Sequence, residues 1–213
     1  MQGELFVVSA PSGTGKTSLV RAFFANHKAI AKNLRFSVSH TNRAPRSGEV
    51  HGRDYFFVTD DEFRRLIDED SFLEWAMVYG QYKGTSRGAV TELRAQGFDV
   101  LLDIDVQGAL QVKKRLPEAH LIFILPPSYQ ELERRLRERE TDDPEQIERR
   151  LRIAADEVAT LPSYDYVIVN EDLVAATDAL AAIFLARRHL ASRMEAATRQ
   201  VLASFPAAPA ATP

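Results

Sequence analysis

The chain has 213 residues, 45% of them hydrophobic, and 27 lysines and arginines against 30 acids give a formal net charge of −3 and a pI near 6.0. This length supports one sizeable core with insertions rather than two independent domains, and the acidic balance argues against a general binder of nucleic acid or anionic membranes. With no cysteine, neither a disulfide framework nor a thiolate metal site can form, which suits a reducing cytoplasm.

Met1-Gln2-Gly3 leads directly into the first predicted strand, Leu5-Phe-Val-Val-Ser9, so no signal peptide is expected ahead of it. No apolar run reaches the ~20 residues of a membrane span, and a soluble, cytoplasmic protein is expected. The strand breaks into Ala10-Pro11-Ser12-Gly13-Thr14-Gly15-Lys16-Thr17-Ser18, a phosphate-binding loop, before Leu19, Val20, Phe23 and Phe24 mark a helical apolar face. Gly13 and Gly15 lack the Cβ that would prevent backbone N–H groups from turning around an anion. Lys16 adds a point charge for phosphate, Thr17 a hydroxyl for Mg²⁺, and the helix its N-terminus. Ala10 departs from the G-x-x-x-x-G-K-S/T pattern, which has glycine first. A glycine-rich turn with a surface lysine is the plain alternative, but the order strand, loop, helix favours phosphate binding.

Arg35 to Arg43 alternates at Phe36 and Val38 as a short strand, Ala44-Pro-Arg46-Ser-Gly48-Glu49 reads as a turn, and Asp54 to Val58 as a further strand. Thr59-Asp-Asp-Glu62 has the form of a capping box, with Phe63, Leu66 and Ile67 behind it. Residues 35–88 are too irregular for a simple crossover and suit a small substrate-binding insertion. A helix is expected over Val90 to Gln96, a buried strand over Phe98 to Asp105 ending in two acids, and a helix over Gln107 to Leu116. Asp103 and Asp105, two apart on that strand, would leave the same face. Leu121 to Leu125 is another buried strand, and Ser128-Tyr-Gln-Glu131 a second capping box, with Leu132 and Leu136 on the apolar side. The charged stretch that follows, broken at Asp143-Pro144, reads as a helical hairpin resembling a lid. On it Arg135 and Arg139 share one face, and Arg150 comes from the second helix. Tyr166 to Val169 is the last strand, followed by a long helix carrying Leu180, Ile183 and Phe184. The predicted class is therefore α/β: a parallel sheet opened by the phosphate loop and flanked by helices, with a small mixed insertion and a helical lid. The core comprises 1–34, 89–126 and 157–205, the insertion 35–88 and the lid 127–156; residues 206–213 form an Ala/Pro tail expected to be disordered.

Four stretches give a more specific likeness. Ser37 through Val58, Phe72-Leu-Glu74-Trp-Ala, Tyr82-Lys-Gly84-Thr85-Ser and Leu102-Asp103-Ile-Asp105-Val-Gln-Gly108 resemble guanylate kinases of the bacterial type, within the nucleoside monophosphate kinases. The similarity runs from Leu5 to about Arg188. It implies transfer of the ATP γ-phosphate to GMP, giving ADP and GDP with Mg²⁺. The resemblance assigns ATP to Ala10 through Ser18 and Asn170, and GMP to Ser39, Arg43, Arg46, Glu49, Tyr55, Glu74, Thr85, Asp103 and Asp105. It implies catalytic charge from Lys16, Arg43, Arg135, Arg139 and Arg150, and Mg²⁺ held at Thr17 and, through water, at Asp103. An ionised Glu74 can accept the adjacent N1 and N2 donors of guanine and would repel the N1 acceptor of adenine. Arg43 and Arg46 offer two guanidinium forks for the acceptor phosphate, joined by the Tyr55 hydroxyl.

The chain departs from the family at Lys83, where a second tyrosine is usual; an ammonium there either replaces a hydrogen bond with a charge contact or points elsewhere. Glu138 and Glu140 flank Arg139 where glycines are common. Two other readings keep the same scaffold: a kinase for another phosphorylated metabolite, in which Glu74 has no purpose, and an interaction module without catalysis, which would not need Lys16 or the lid arginines. A regulatory phosphate-loop switch is disfavoured by the lack of an Asn-Lys-x-Asp motif. ATP and GMP are the expected partners, without nucleic acid or membrane, and self-association is left open.

Overall fold

Residues 2–78, 80–138 and 144–205 are described by the computed structural model. The chain runs β1 (Leu5–Ser9), α1 (Lys16–Asn26), α2 (Lys28–Ala31), β2 (Leu34–Phe36), β3 (His40–Thr41), β4 (Phe56–Phe57), α3 (Asp60–Asp68), β5 (Phe72–Val78) and β6 (Gln81–Ser86). It continues α4 (Arg87–Ala95), β7 (Asp99–Asp103), α5 (Val106–Arg115), β8 (His120–Leu125), α6 (Tyr129–Arg137), α7 (Pro144–Val158), a 3₁₀ turn (Leu161–Ser163), β9 (Tyr166–Val169), α8 (Leu173–Arg188) and α9 (Ala191–Leu202).

Five strands form a parallel sheet in the order β2-β7-β1-β8-β9. β1 is buried along its whole length because helices cover both faces, so its apolar residues divide by parity. Phe6 and Val8 join Leu19, Phe23, Leu180 and Phe184 on one side. Leu5 and Val7 join Val90, Leu102, Ala109 and Val112 on the other. With helices on both faces, the carboxyl ends of β1 and β7 are left as the place where loops can build a site.

A second, mixed sheet has the order β4-β3-β6-β5, with β3 and β4 parallel and the other pairs antiparallel. Phe63 of α3 stacks on Phe72 and Tyr82, at ring-centroid distances of 4.5 and 5.0 Å, and closes this sheet's outer side. The strand expected over Arg35 to Arg43 is split: Leu34–Phe36 pairs with β7 in the large sheet, and His40–Thr41 pairs with β6 in the small one. The chain therefore crosses between sheets after Phe36, slightly later than the boundary at residue 35.

The two capping boxes differ. Thr59 and Glu62 cap reciprocally, with Glu62 N donating to Thr59 Oγ1 at 3.2 Å and Thr59 N to Glu62 Oε2 at 2.8 Å. Ser128 Oγ does accept from Glu131 N at 3.1 Å, but the Glu131 carboxylate turns to Arg134 and Arg135 instead, so only half of that box forms. The nearby guanidinium groups offer charge-assisted bonds and win over a backbone N–H. α6 and α7 share a small core of their own, Leu132, Leu136, Ile147, Leu151 and Ala154. The expected Asp143 cap and the Ala/Pro tail lie outside the described residues.

The last two helices are tied to the start of the sheet by charge. Glu4 accepts from Arg187 Nη2 at 2.7 Å and lies 2.9 Å from Arg193 Nη1, while buried Asp99 accepts from Arg188 Nε at 3.0 Å. Burial pushes the Glu4 carboxyl up, but His120, Arg187 and Arg193 outweigh it and hold the pKa at about 2 against an ordinary 4.5. A carboxyl depressed on folding stabilises above its unfolded pKa and loses that contribution as pH falls towards the folded one. Thermal stability should therefore fall between about pH 4.5 and 2 in part through Glu4, and Glu4→Gln should flatten that section of a Tm-against-pH curve.

Candidate active site

The loop after β1 takes its shape from two left-handed glycines, Gly13 at φ 96° and Gly15 at φ 89°. Gly15 is also the N-cap of α1 and supplies no side-chain bond, so the first N–H groups of that helix face the cleft as anion donors. The loop is braced from behind. Asn170 Nδ2 donates to the Thr14 carbonyl at 2.7 Å, Arg135 Nη1 donates to the same oxygen at 3.1 Å, and Arg135 Nη2 reaches the Asn170 carbonyl at 3.3 Å. A methyl at position 15 would lie 2.6 Å from Asn170 Nδ2, so this bracing and the glycine depend on each other. Ala10 is buried within the core cluster around Phe6 and Phe23 and is not a positive-φ residue, which explains how it replaces the motif's first glycine.

A cleft of about 360 Å³ runs from this loop to the small sheet. Ala10 through Ser18, Ser39, Tyr55, Glu74, Asp103 and Asp105 all line it, as the sequence led us to expect. Lys16 Nζ is paired with the Asp103 carboxylate and donates to the Ile104 carbonyl at 2.8 Å, so its charge is held at the end of β7. Asp105 corrects an expectation: β7 stops at Asp103, and Asp105 is the N-cap of α5, its Oδ1 accepting from Gly108 N at 2.7 Å. The local preference of Asp for a cap outweighs extension of the strand.

Glu74 is 3% exposed, and its Oε1 accepts from Thr85 Oγ1 at 2.5 Å across the β5–β6 pairing. Thr85 thus lies behind the carboxylate. A methyl at position 108 would come 2.5 Å from Glu74 Oε2, so Gly108 gives the carboxylate its room. Burial, reinforced by the nearby Asp105 charge and opposed by Thr85, raises the Glu74 pKa to about 7. Glu157, from the end of α7, also lines the cleft and is raised to about 7 by burial and by Asp105. It was not anticipated, because in sequence it is one acid among many on a charged helix.

Arg43 lies beside the cleft, its guanidinium held by both oxygens of Glu49 at 2.7 Å each and 5.2 Å from the Tyr55 ring centroid. Glu49 also accepts from Arg46 N at 2.7 Å. Its carboxylate is therefore engaged by Arg43 and the Arg46 backbone in this turn. Arg46 is exposed, and neither it nor Arg43 lines the cleft. Arg135 and Asn170 line a second hollow of about 440 Å³ on the other side of the loop, with Glu138, Glu171 and Leu173. Arg150 is half-buried on α7 and lines neither space, and Arg139 lies outside the described residues.

Among the described residues no three His, Cys, Asp or Glu side chains cluster as a self-sufficient metal site. Thr17 and Asp103 on the cleft wall offer one hydroxyl and one carboxylate, a set that fits Mg²⁺, which keeps several waters and shares its shell with phosphate.

The guanylate kinase family model matches residues 2–187. The chain belongs to the guanylate kinase family. It is 50% identical over 194 residues to the guanylate kinase of Escherichia coli O157:H7, covering 91% of this chain and 93% of that protein. It is 46% identical over 200 residues to the guanylate kinase of Geobacter sulfurreducens, covering 94% and 97%. The crystal structure of guanylate kinase from Anaplasma phagocytophilum superposes with a TM-score of 0.72 at 35% identity, covering 95% of each chain. Within this guanylate kinase scaffold, the α/β class with its parallel sheet and small mixed sheet agrees with the expectation from sequence.

Asn170, which the resemblance assigns to ATP, donates its amide to the loop backbone at Thr14. Asn170→Ala should therefore weaken ATP and inorganic tripolyphosphate in the same ratio, roughly fivefold to tenfold, as for one lost buried hydrogen bond. Calorimetric titration with both ligands measures this, and a loss confined to ATP would assign Asn170 to the base instead.

Proposed function

We propose that this chain transfers the γ-phosphate of ATP to GMP, giving ADP and GDP, and that the cleft between the phosphate loop and Glu74 is where the two nucleotides meet. The observation that carries the reading is the buried Glu74 carboxylate, oriented by Thr85 on the far wall of a cleft whose near wall is an anion cradle. A buried acceptor beside a phosphate loop suits a nucleotide whose base presents two adjacent donors, as guanine does. Ribose phosphates offer hydroxyl donors but no base edge with two adjacent N–H donors.

In this reading the loop N–H groups and Lys16 hold the β- and γ-phosphates of ATP, with Lys16 turning from Asp103 towards the anion. Mg²⁺, held by Thr17 and through water by Asp103, would supply neutralising charge at the phosphate oxygens. Arg43, fixed by Glu49, and the Tyr55 hydroxyl receive the GMP phosphate. An oxygen of that phosphate attacks the γ-phosphorus in line as the bond to the ADP oxygen breaks. The attacking oxygen is already ionised, so the step needs no general base. Positioning and cationic charge are what the protein contributes. Lys16 and Arg135 supply charge from the donor side, with Arg139 and Arg150 assigned to the lid. The separate core of α6 and α7 supports movement of that hairpin as a unit, which would exclude water and suppress ATP hydrolysis.

The first test is coupled ADP formation with ATP and Mg²⁺, offering GMP, AMP, UMP and ribose phosphates in turn. Turnover should require GMP and fall at least ~10²-fold in Lys16→Ala. Nucleotide binding without turnover on any acceptor would favour the interaction module.

The raised pKa of Glu74 adds a second prediction. Guanine donors require the ionised carboxylate, which below about pH 7 must first lose a proton. GMP affinity should therefore rise from about pH 6 to about pH 8, with proton release on binding in calorimetry at the acid end. Glu74→Gln should abolish this component and cost selectivity over AMP by roughly 10²-fold or more.

A further inference from the structure

We propose that Gln111, on α5, is a positioning residue for Glu74: its carboxamide takes up both backbone groups of Trp75 and so fixes the strand from which the base-reading carboxylate is aimed. The inference rests on the guanylate kinase reading of the cleft and adds to it a residue that does not itself line the cleft.

The strand that carries Glu74 needs such a support. Among the described residues β5 is an outer strand of the small sheet and pairs with β6 alone, so its other side presents backbone donors and acceptors with no strand to meet them. The pairing is also irregular just before Glu74. Phe72 faces Ser86 and Glu74 faces Thr85, two steps along β5 against one along β6, so Leu73 is a bulge residue, buried with Ala109 and Val112 of α5. A bulge re-aims the side chains beside it and interrupts the ladder locally. The bonds to β6 therefore fix the direction of Glu74 only weakly.

Helix α5 supplies what the sheet lacks. Gly108, Gln111 and Arg115 follow one another at spacings of three and four residues, on one face of that helix. Gly108 leaves room for the Glu74 carboxylate, and Arg115 Nη1 donates to the Phe72 carbonyl at 2.7 Å. Between them, Gln111 Oε1 accepts from Trp75 N at 3.3 Å and Gln111 Nε2 donates to the Trp75 carbonyl at 2.8 Å. One carboxamide thus meets the strand as the backbone of a further strand would. The Trp75 N–H belongs to the peptide group that leaves Glu74, so this bond restrains the backbone at the residue whose side chain reads the base. Among the described side chains only Thr85 donates to the carboxylate. Its aim depends on the main chain, and Gln111 is the side chain that holds the main chain there.

The test uses the full-length enzyme and the variants Gln111→Met, Glu74→Gln and the two combined. Methionine keeps the length of glutamine and loses both bonds. Coupled ADP formation gives kcat/KM for GMP and AMP and the KM for ATP, and calorimetry gives the Kd for guanosine. In Gln111→Met we expect kcat/KM for GMP to fall and the Kd for guanosine to rise in the same ratio, about tenfold for two lost hydrogen bonds, with the KM for ATP unchanged and the preference for GMP over AMP reduced. Added to Glu74→Gln, the same substitution should change kcat/KM for GMP by about twofold or less, because the carboxylate it positions is already gone. An equal loss in both backgrounds would overturn the assignment, since general support of the sheet adds to the loss of Glu74. An unchanged GMP preference in Gln111→Met would overturn it alone. A wild-type protein with no preference for GMP would overturn the reading of Glu74, and this inference with it.

Discussion

The cation of Lys16 is held in place by its neighbours across two strands. It leaves the first turn of α1, crosses to β7, and is fixed there by the Asp103 carboxylate and the Ile104 carbonyl. Those two contacts require β1 and β7 to be adjacent and parallel, so that both strands end on the same side of the sheet. It also requires the loop to turn sharply enough to start a helix directly beneath it, which Gly13 and Gly15 permit. The core clusters on either side of the sheet fix this geometry, and the Asn170 and Arg135 bonds to the Thr14 carbonyl keep the loop from relaxing. The charge is thus kept at the mouth of the loop, where a phosphate competes with Asp103 for it.

Opposite the loop, the small sheet solves a different electrostatic problem. It keeps a carboxylate buried without collapsing it onto a cation. Glu74 accepts from one hydroxyl, has its space because position 108 is glycine, and among the described residues forms no ion pair with an arginine or lysine. Its raised pKa follows from that isolation. Arg43, by contrast, is anchored by Glu49 and so is presented with its orientation already fixed. Arg43 is held by Glu49 beside the cleft and Glu74 by a neutral hydroxyl within it, whereas Lys16 is paired with Asp103 on the cleft wall itself.

Much of this arrangement was legible in local patterns. The apolar strands Leu5–Ser9, Asp99–Asp103 and His120–Leu125 and the loop glycines carry signals of period, turn chemistry or motif that survive without tertiary information, whereas the bond between Thr85 and Glu74 was seen only in the fold. What was not legible depended on which of several partners a side chain chooses. Asp105 could extend a strand or cap a helix, and only the position of Gly108 decides. Glu49 could face a ligand or Arg43, and the reach of the folded turn decides. Glu157 is one of many charges on α7, and nothing local marks it as the one that the hairpin brings over the cleft.

Glu157 bears on how the hairpin is balanced. With its carboxyl raised to about 7 by burial and by Asp105, it adds potential negative charge to a cleft that must take up two polyanions. Such a group opposes phosphate entry when ionised and is neutral to it when protonated. Its place at the last turn of α7 puts it at the base of the hairpin, one residue beyond the expected lid, 127–156. The same helix pair carries Arg135 against the loop, so the hairpin brings cationic and acidic groups to the site together. Phosphate in the cleft compensates Lys16 and Arg135, and an ionised Glu157 opposes that compensation.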